Sequence, residues 1–428
     1  MEQPKKHMMK DVIVVGFAMF AIFFGAGNLI FPPYLGMMAG EEWFKGFLCF
    51  ILADAGLAVM TVLAIIHSGG DVMQVFGRLG RVPARLLVTL AMFCVGPLIC
   101  IPRTCATTYE MGMVPLFPGF SSWIFAAVFF MLVFFLTVRP SAVVDIIGKV
   151  LTPVLLLALA VLFIKGVITP IGAIRTGAAA INAAGAGFLA GYQTMDVLGA
   201  MAITMVVVQT VRNKGYMTRK SQNTIVFRAS FVAVLGLFAV YCGLTYLGAT
   251  TSMLELGEIN QTGLVVLVTD LLLQKVGVVM LAVIVTFACL TTAIGLVSSG
   301  AEYFGSLTGG RLSYAAWVGI LCVSGMVISN AGITAIINVA TPILNIIYPI
   351  LIGQVILSYF DEKIKNDHIY MGTAIGTLLA CLLGVAADFG MIPNVTGLLP
   401  LASIGFYWVL PAVLGGIVGA CIPMRRGN

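Results

Sequence analysis

The residues of this chain best suited to bind a small charged solute interrupt two of its apolar runs. The first interruption is Gly25-Ala26-Gly27-Asn28, which lies mid-run, with Pro32 and Pro33 one turn further on. Glycine widens the allowed range of φ and proline removes a backbone donor, so this stretch predicts a broken helix. Broken backbone exposes amides and carbonyls that must line a hydrated cavity enclosed by protein. The alternative is that these small residues only allow two helices to pack closely.

The second interruption places a polar cluster and an acid inside an apolar run. Its members are Gly191, Tyr192, Gln193, Thr194, Met195 and Asp196. A charge deep in a membrane is costly, so an acid at that depth predicts a functional role. We therefore expect Asp196 to act at a second helix break.

Four other charged residues also lie within apolar runs. Arg103, after Pro102, is expected to neutralise an acid, to gate access, or to form a purely structural ion pair. Asp54 is expected to make a buried structural contact. Glu110 and Glu302 approach the ends of their runs, where their side chains can reach water.

Adjacent hydroxyls at Thr291 and Thr292 lie in the middle of a later run. A threonine in a membrane helix usually bonds back to a carbonyl one turn earlier, which is the structural interpretation of this pair. A small hard cation, however, needs about five or six oxygen ligands. Hydroxyls together with carbonyls freed by a broken helix would supply them without a buried carboxylate.

The composition requires that these residues lie within a membrane. Of the 428 residues, 60% are hydrophobic and only 9% are Asp, Glu, Lys or Arg, which excludes a water-soluble surface. A hydrocarbon core of about 30 Å takes about 20 apolar residues to cross as a helix. Runs of that kind predict about twelve spans, at residues 11–36, 44–67, 83–112, 123–138, 142–165, 187–211, 225–248, 277–303, 314–329, 333–358, 368–388 and 401–422.

The net charge of +6 is distributed as a membrane topology predicts. With the N-terminus inside, 18 Lys and Arg residues fall in cytoplasmic stretches and 4 in outer ones, in agreement with the positive-inside rule. The basic excess therefore indicates cytoplasmic N- and C-termini and no nucleic-acid partner.

The predicted spans form one transmembrane domain, residues 1–428, with no sizeable soluble part. Two five-helix repeats at 11–165 and 187–358 would be followed by two further helices at 368–422. Because five is odd, the second repeat would cross in the opposite sense, which places the two broken helices, the first and the sixth, at equivalent positions. The stretch 249–276 suits an outer interfacial or re-entrant helix better than a full span.

The run from Phe17 to Gly36 resembles the first-span signature of the branched-chain amino acid:cation symporters, the LIV-II carriers. The similarity extends to Pro102-Arg103-Thr104, to Gly191–Asp196 and to Thr291-Thr292. The resemblance implies an all-α membrane fold with five-plus-five inverted repeats, as in the amino acid-polyamine-organocation superfamily. It also implies symport of leucine, isoleucine and valine with sodium across a bacterial cytoplasmic membrane.

The resemblance also implies site residues. The amides near Ala26 and Gly27, beside Gly25 and Asn28, would hold the substrate carboxylate. Carbonyls at the ends of the broken helices, with Asp196, would meet the ammonium group. The substrate side chain would lie among Phe23, Tyr192 and Met195, near Gln193 and Thr194. The sodium ligands would be the carbonyls of Ala21, Phe24 and Ala288 and the hydroxyls of Thr291 and Thr292.

Three alternatives stay open at this level. They are proton coupling, another amino acid or nucleobase as substrate on the same fold, and an ion channel, which would conduct without substrate. An enzyme is not expected, because the sequence has no HExxH motif, His/Cys cluster or nucleophile signature. No protein partner is implied.

Overall fold

The computed structural model describes residues 8–138, 156–177 and 181–423. Within these ranges the chain forms helices and connecting loops, with no strand. The helices in the first half are α1 (Met8–Phe23), α2 (Ala26–Ala39), α3 (Trp43–Ile51), α4 (Leu57–His67), α5 (Val72–Phe76), α6 (Arg81–Phe93), α7 (Cys100–Thr108), α8 (Ser122–Val138) and α9 (Leu156–Ile168). Those in the second half are α10 (Ala183–Thr194), α11 (Asp196–Asn213), α12 (Arg219–Ala249), α13 (Gln261–Leu307), α14 (Tyr314–Ser329), α15 (Ile333–Ser358), α16 (His368–Asp388) and α17 (Val409–Cys421).

The described helices are those of a multi-pass membrane protein. Six helical segments are long and apolar enough to span a bilayer, and α8, α9, α14 and α17 are shorter apolar helices. The count of twelve spans and the inverted repeat stay predictions. Of the predicted fifth span, 142–165, only the part from residue 156 lies within the described residues.

Two apolar runs break where the sequence predicted. The first break separates α1 from α2, and Gly25 there has extended backbone, with φ −118° and ψ −167°. The second separates α10 from α11 at Met195, which adopts φ 67° and ψ 22°. A left-handed conformation is strained for a non-glycine residue, so the surrounding packing must hold it. Pro32 and Pro33, in contrast, lie inside α2 and do not end it.

Short π-helical turns interrupt two spans close to these breaks. Leu52–Gly56 joins α3 to α4, and Cys94–Leu98 lies between α6 and α7. A π turn inserts an extra residue and so redirects the side chains that follow, and such turns are frequent at functional sites. The first of them carries Asp54.

The stretch 249–276, predicted as an outer interfacial or re-entrant helix, contains the beginning of α13 and no full span. The Asn260 side chain caps this helix by accepting from the Gly263 amide at 2.9 Å, and the backbone turns sharply at Gln274, with φ 52°. Leu264 and Val268 are buried in a small apolar cluster. This part of α13 is therefore packed against the bundle.

Glu110 and Glu302 differ in their surroundings. Glu302 is exposed. Glu110 accepts from the Thr262 hydroxyl at 2.6 Å and from the Ile333 amide at 2.9 Å. Glu110 is half-buried, so its carboxylate both reaches water and joins the first turns of α13 and α15.

Candidate functional site

A small cavity of about 40 Å³ lies between the two helix breaks. Its wall comes from the α1–α2 break, the third span, the α10–α11 break and α13. The lining residues are Phe23, Gly25, Ala26, Gly27, Asn28, Val95, Cys100, Arg103, Thr104, Thr194, Met195, Asp196, Gly199, Ile203, Thr292 and Leu296. A cavity of this volume is too small to hold an amino acid.

Asn28 connects the first break to two buried acids. Its amide nitrogen lies 3.1 Å from Asp196 Oδ2, 3.4 Å from Asp54 Oδ1 and 2.5 Å from the Tyr241 hydroxyl. Its oxygen accepts from the Gly25 amide at 3.3 Å, which fixes the nitrogen toward the acids. Asn28 is thus placed to hold α2 against both the second span and the second break.

Asp54 is part of this cluster and not a separate structural contact. The side chain is fully buried in the π turn, and its Oδ2 has no hydrogen-bond partner among the described residues. Tyr241, on α12, is also fully buried and had no sequence signal, because it is one aromatic residue in an apolar run. Asp54 did have a signal, its charge within a span, but the partner could not be read from it.

The side chain of Arg103, a residue of α7, contacts the C-terminal end of α10. Its guanidinium donates to the carbonyl of Gln193 and, at 2.9 Å, to the carbonyl of Thr194. These carbonyls end a helix, where the partial charge is negative and a cation is stabilised. Among the described residues no carboxylate forms a salt bridge with Arg103, so the acidic partner and the structural ion pair stay predictions.

Asp196 occupies the matching position at the other side of the same break. It is the first residue of α11, where the partial charge is positive and an anion is stabilised. The break between α10 and α11 therefore brings a guanidinium and a carboxyl group to the same cavity. Among the described residues the two groups form no salt bridge with each other.

Tyr192 and Gln193 do not line this cavity. The Tyr192 ring stacks on Tyr348 with centroids 4.8 Å apart, and it lines a second, larger cavity of about 400 Å³ beside Asn182 and Asp388. The Gln193 side chain donates to the Thr341 hydroxyl at 2.9 Å. Because α10 stays helical to Thr194, successive side chains point about 100° apart. Of Tyr192, Gln193 and Thr194, only Thr194 therefore reaches the cavity.

The structure brings several of the proposed sodium ligands together. Both threonine hydroxyls, of Thr291 and Thr292, lie 2.9 Å from the Ala288 carbonyl. Thr292 lines the cavity, and a Cβ placed on Gly25 would be 3.5 Å from its hydroxyl. Ala21 lies in the last turn of α1 and Phe24 just beyond it, where carbonyls lack intrahelical partners. The hydroxyls make the usual back-bonds, so both interpretations of this pair fit the geometry.

Comparison with known proteins identifies the family of this chain. The family model described as "Branched-chain amino acid transport protein" matches residues 8–426. The chain belongs to this family. It is 36% identical to the branched-chain amino acid permease BraB of Bacillus subtilis, over 99% of this chain and 98% of that one. It is 34% identical to the branched-chain amino acid permease BrnQ of Escherichia coli, over 95% and 94% of the two chains.

Solved structures of low identity share the fold. Mhp1, a nucleobase-cation-symport-1 family transporter, aligns with a TM-score of 0.64 at 15% identity, over 96% of this chain and 91% of that one. A Na⁺-coupled sialic acid symporter aligns with a TM-score of 0.60 at 15% identity, over 97% and 91%. At this identity the likeness concerns the fold alone.

Membership of the branched-chain amino acid transport family has two consequences for the cavity. The matched relatives are permeases and carriers, so this family member is a transport protein and not an enzyme. The cavity between the two helix breaks is the candidate site for its solute.

Proposed function

We propose that this protein carries leucine, isoleucine and valine into the cell together with sodium, by alternating access across a bacterial cytoplasmic membrane with both termini inside. The observation that supports this most directly is the pair of charges at the second break. Arg103 and Asp196 line one small cavity and form no salt bridge with each other among the described residues. A zwitterion with one carboxylate and one ammonium group complements them.

The carboxylate and the ammonium group of the substrate would bind at the ends of different helices. The amides of Ala26 and Gly27 open α2, where the first N–H groups have no intrahelical partner and attract an anion. The ammonium group would meet Asp196. The carbonyls that end α10 are already engaged by Arg103, so Asp196 would contribute more than those carbonyls do.

Apolar residues beside the charges would receive the branched side chain. Phe23, Met195, Ile203 and Leu296 line the cavity, whereas Tyr192 does not. One methylene is worth about 1 to 3 kcal/mol in an apolar pocket, so discrimination among the three substrates should be small. Because the cavity holds only about 40 Å³, its walls must move apart to admit an amino acid.

Sodium would bind at the first break beside α13. The proposed ligands are the carbonyls of Ala21, Phe24 and Ala288 and the hydroxyls of Thr291 and Thr292. An ion there would order the break that also holds the substrate carboxylate. By linkage, sodium and substrate would each raise the other's affinity by the same factor.

Proton coupling is the second candidate, and the Asn28 cluster favours it. Asp54 and Asp196 lie beside one amide nitrogen, and no basic side chain contacts either acid among the described residues. Two buried carboxylates this close cannot both ionise without a bound cation, and a proton satisfies that requirement.

A gradient experiment separates the two candidates. In proteoliposomes, leucine uptake should require an inward sodium gradient and should not respond to an imposed proton gradient in sodium-free buffer. The measurement is initial uptake of labelled leucine with each gradient alone. Equal uptake with the proton gradient alone would refute sodium coupling.

Removing the hydroxyls tests the position of the ion. The double variant Thr291→Ala, Thr292→Ala should raise the sodium concentration needed for half-maximal uptake at least about tenfold, because a hard cation loses two oxygen ligands. The matched control is Thr286→Ala, which removes a similar back-bonding hydroxyl one to two turns earlier in α13. If the double variant retains the sodium dependence of the control, the ion binds elsewhere.

A further inference from the structure

We propose that the Arg103 guanidinium binds the carboxylate of the transported amino acid, and that Gly27 is glycine so that the guanidinium can reach the start of α2. This proposal rests on the proposed function, since it assigns the carboxylate ligand of that same site. It replaces the roles of gate and structural ion pair that the sequence suggested for Arg103.

The first support is that the Arg103 guanidinium is buried and has unused hydrogen-bond donors. Arg103 is only 2% exposed, and its Nε has no hydrogen-bond partner among the described residues. The two terminal nitrogens of the guanidinium donate to the carbonyls of Gln193 and Thr194. Nη2 also makes a long contact of 3.8 Å with Cys100 Sγ. A guanidinium has five N–H donors, so donors remain.

The second support is charge. Neutral carbonyls stabilise the guanidinium but do not neutralise it, and a buried unneutralised cation is costly within a membrane. Among the described residues no acid pairs with it. A carboxylate from the substrate would supply the missing charge and would engage two donors side by side, the geometry in which arginine exceeds lysine.

The third support is the position of Gly27. A Cβ added there would lie 2.9 Å from Arg103 Nη2, which is closer than real Cβ atoms come, and tight contacts with Thr194 Cα at 3.2 Å and Arg103 Cζ at 3.3 Å would accompany it. The guanidinium therefore lies directly against the first turn of α2. Because the free amides of Ala26 and Gly27 begin that turn, amides and guanidinium can hold one carboxylate between them.

The test compares ligands with and without the carboxylate. Purified full-length protein is titrated with leucine and with leucinol, which keeps the amine and the branched side chain but has a hydroxyl in place of the carboxylate. Wild type should prefer leucine at least about a hundredfold, as expected for a buried charge pair. In Arg103→Gln this preference should fall below about fivefold, with leucinol affinity little changed.

A merely structural role would give a different pattern. If Arg103 only caps α10, Arg103→Gln should weaken leucine and leucinol equally and leave the preference intact, which would contradict the proposal. The matched control is Arg175→Gln, since Arg175 also donates to a backbone carbonyl, that of Met38, but lies outside the cavity. The Arg175→Gln protein should prefer leucine over leucinol as strongly as the wild type does.

A second variant covers the case in which Arg103→Gln does not fold. Gly27→Ala should displace the guanidinium and reduce the preference in the same direction, and an unchanged preference would overturn the proposal. Failure of the proposed function would give a result different from those of the Arg103→Gln and Gly27→Ala tests. In that case wild-type protein would neither bind leucine nor take it up, before any variant is compared.

Discussion

Replacing Asp196 with asparagine should lower leucine affinity at least about a hundredfold, because the substrate ammonium group loses its anionic partner. Asparagine keeps an oxygen that can accept the bond from the Asn28 amide, 3.1 Å from Asp196 in the wild type. The change therefore removes the charge and little else. Breaking a buried pair costs about 3 to 5 kcal/mol, and about 1.4 kcal/mol corresponds to a factor of ten.

The binding assay should use leucine beside 4-methylpentanoate, which has the same carbon chain and carboxylate but no amine. Asp196→Asn should weaken leucine strongly and leave 4-methylpentanoate unchanged or slightly improved. Equal losses for both ligands would mean that Asp196 supports the helix break and does not contact the ammonium group.

Asp54→Asn is the matched comparison for this prediction. Asp54 shares the Asn28 amide but does not line the cavity. Asparagine there keeps an acceptor for Asn28 and removes a carboxyl group whose ionisation competes with that of Asp196, so leucine affinity should change less than about tenfold. If Asp54→Asn lowers leucine affinity as much as Asp196→Asn does, the two carboxyl groups bind the ligand as one unit.

Replacing Gly248 with alanine should destabilise the fold by about 3 kcal/mol or more, because α12 there touches the backbone of α2. A Cβ on Gly248 would lie 1.8 Å from the carbonyl oxygen of Pro33. Backbone cannot move aside as a flexible side chain can, so the two helices must separate. The displaced helix is α2, which carries Gly27 and Asn28 into the cavity, so transport should fall as well.

Thermal unfolding in detergent, followed by the fraction that elutes as a monodisperse peak, measures this effect. Gly353→Ala is the control, since Gly353 is also buried and helical, on α15, but a Cβ there meets only Thr373 Cγ2 at 3.6 Å. Alanine at this ordinary contact distance should be neutral, or stabilising by about 0.5 to 1 kcal/mol. A Gly248→Ala protein as stable as this control would show that α2 and α12 can separate at little cost.

The break at Gly25 illustrates how local information can locate a site. Glycines in an apolar run, followed by Asn28, predict a helix end because the preference of these residues is local and does not depend on packing. The proline pair misleads in the same run, since Pro32 and Pro33 continue inside α2. Neighbouring helices in a membrane can satisfy the backbone groups that proline leaves free.

Tyr192 and Asp54 illustrate the opposite case. Tyr192 is three residues from the second break, yet the turn of α10 directs its ring toward Tyr348. Asp54 is distant in sequence from Asp196, yet a π turn brings its carboxyl group to the same Asn28 amide. Side-chain direction depends on where each helix ends and how it is wound, which adjacent residues do not specify.

The sequence by itself determined that this chain lies in a membrane, that two of its helices break, and that Asp196 lies at the second break, because apolar run length and the local preferences of glycine and charged residues carry that information. Only the tertiary structure decided which of these groups share a cavity. It placed Arg103 on the carbonyls that end α10, Asp196 at the start of α11, and Asn28 between two acids. Those contacts join residues far apart in the chain, so they arise from helix packing and not from any local pattern.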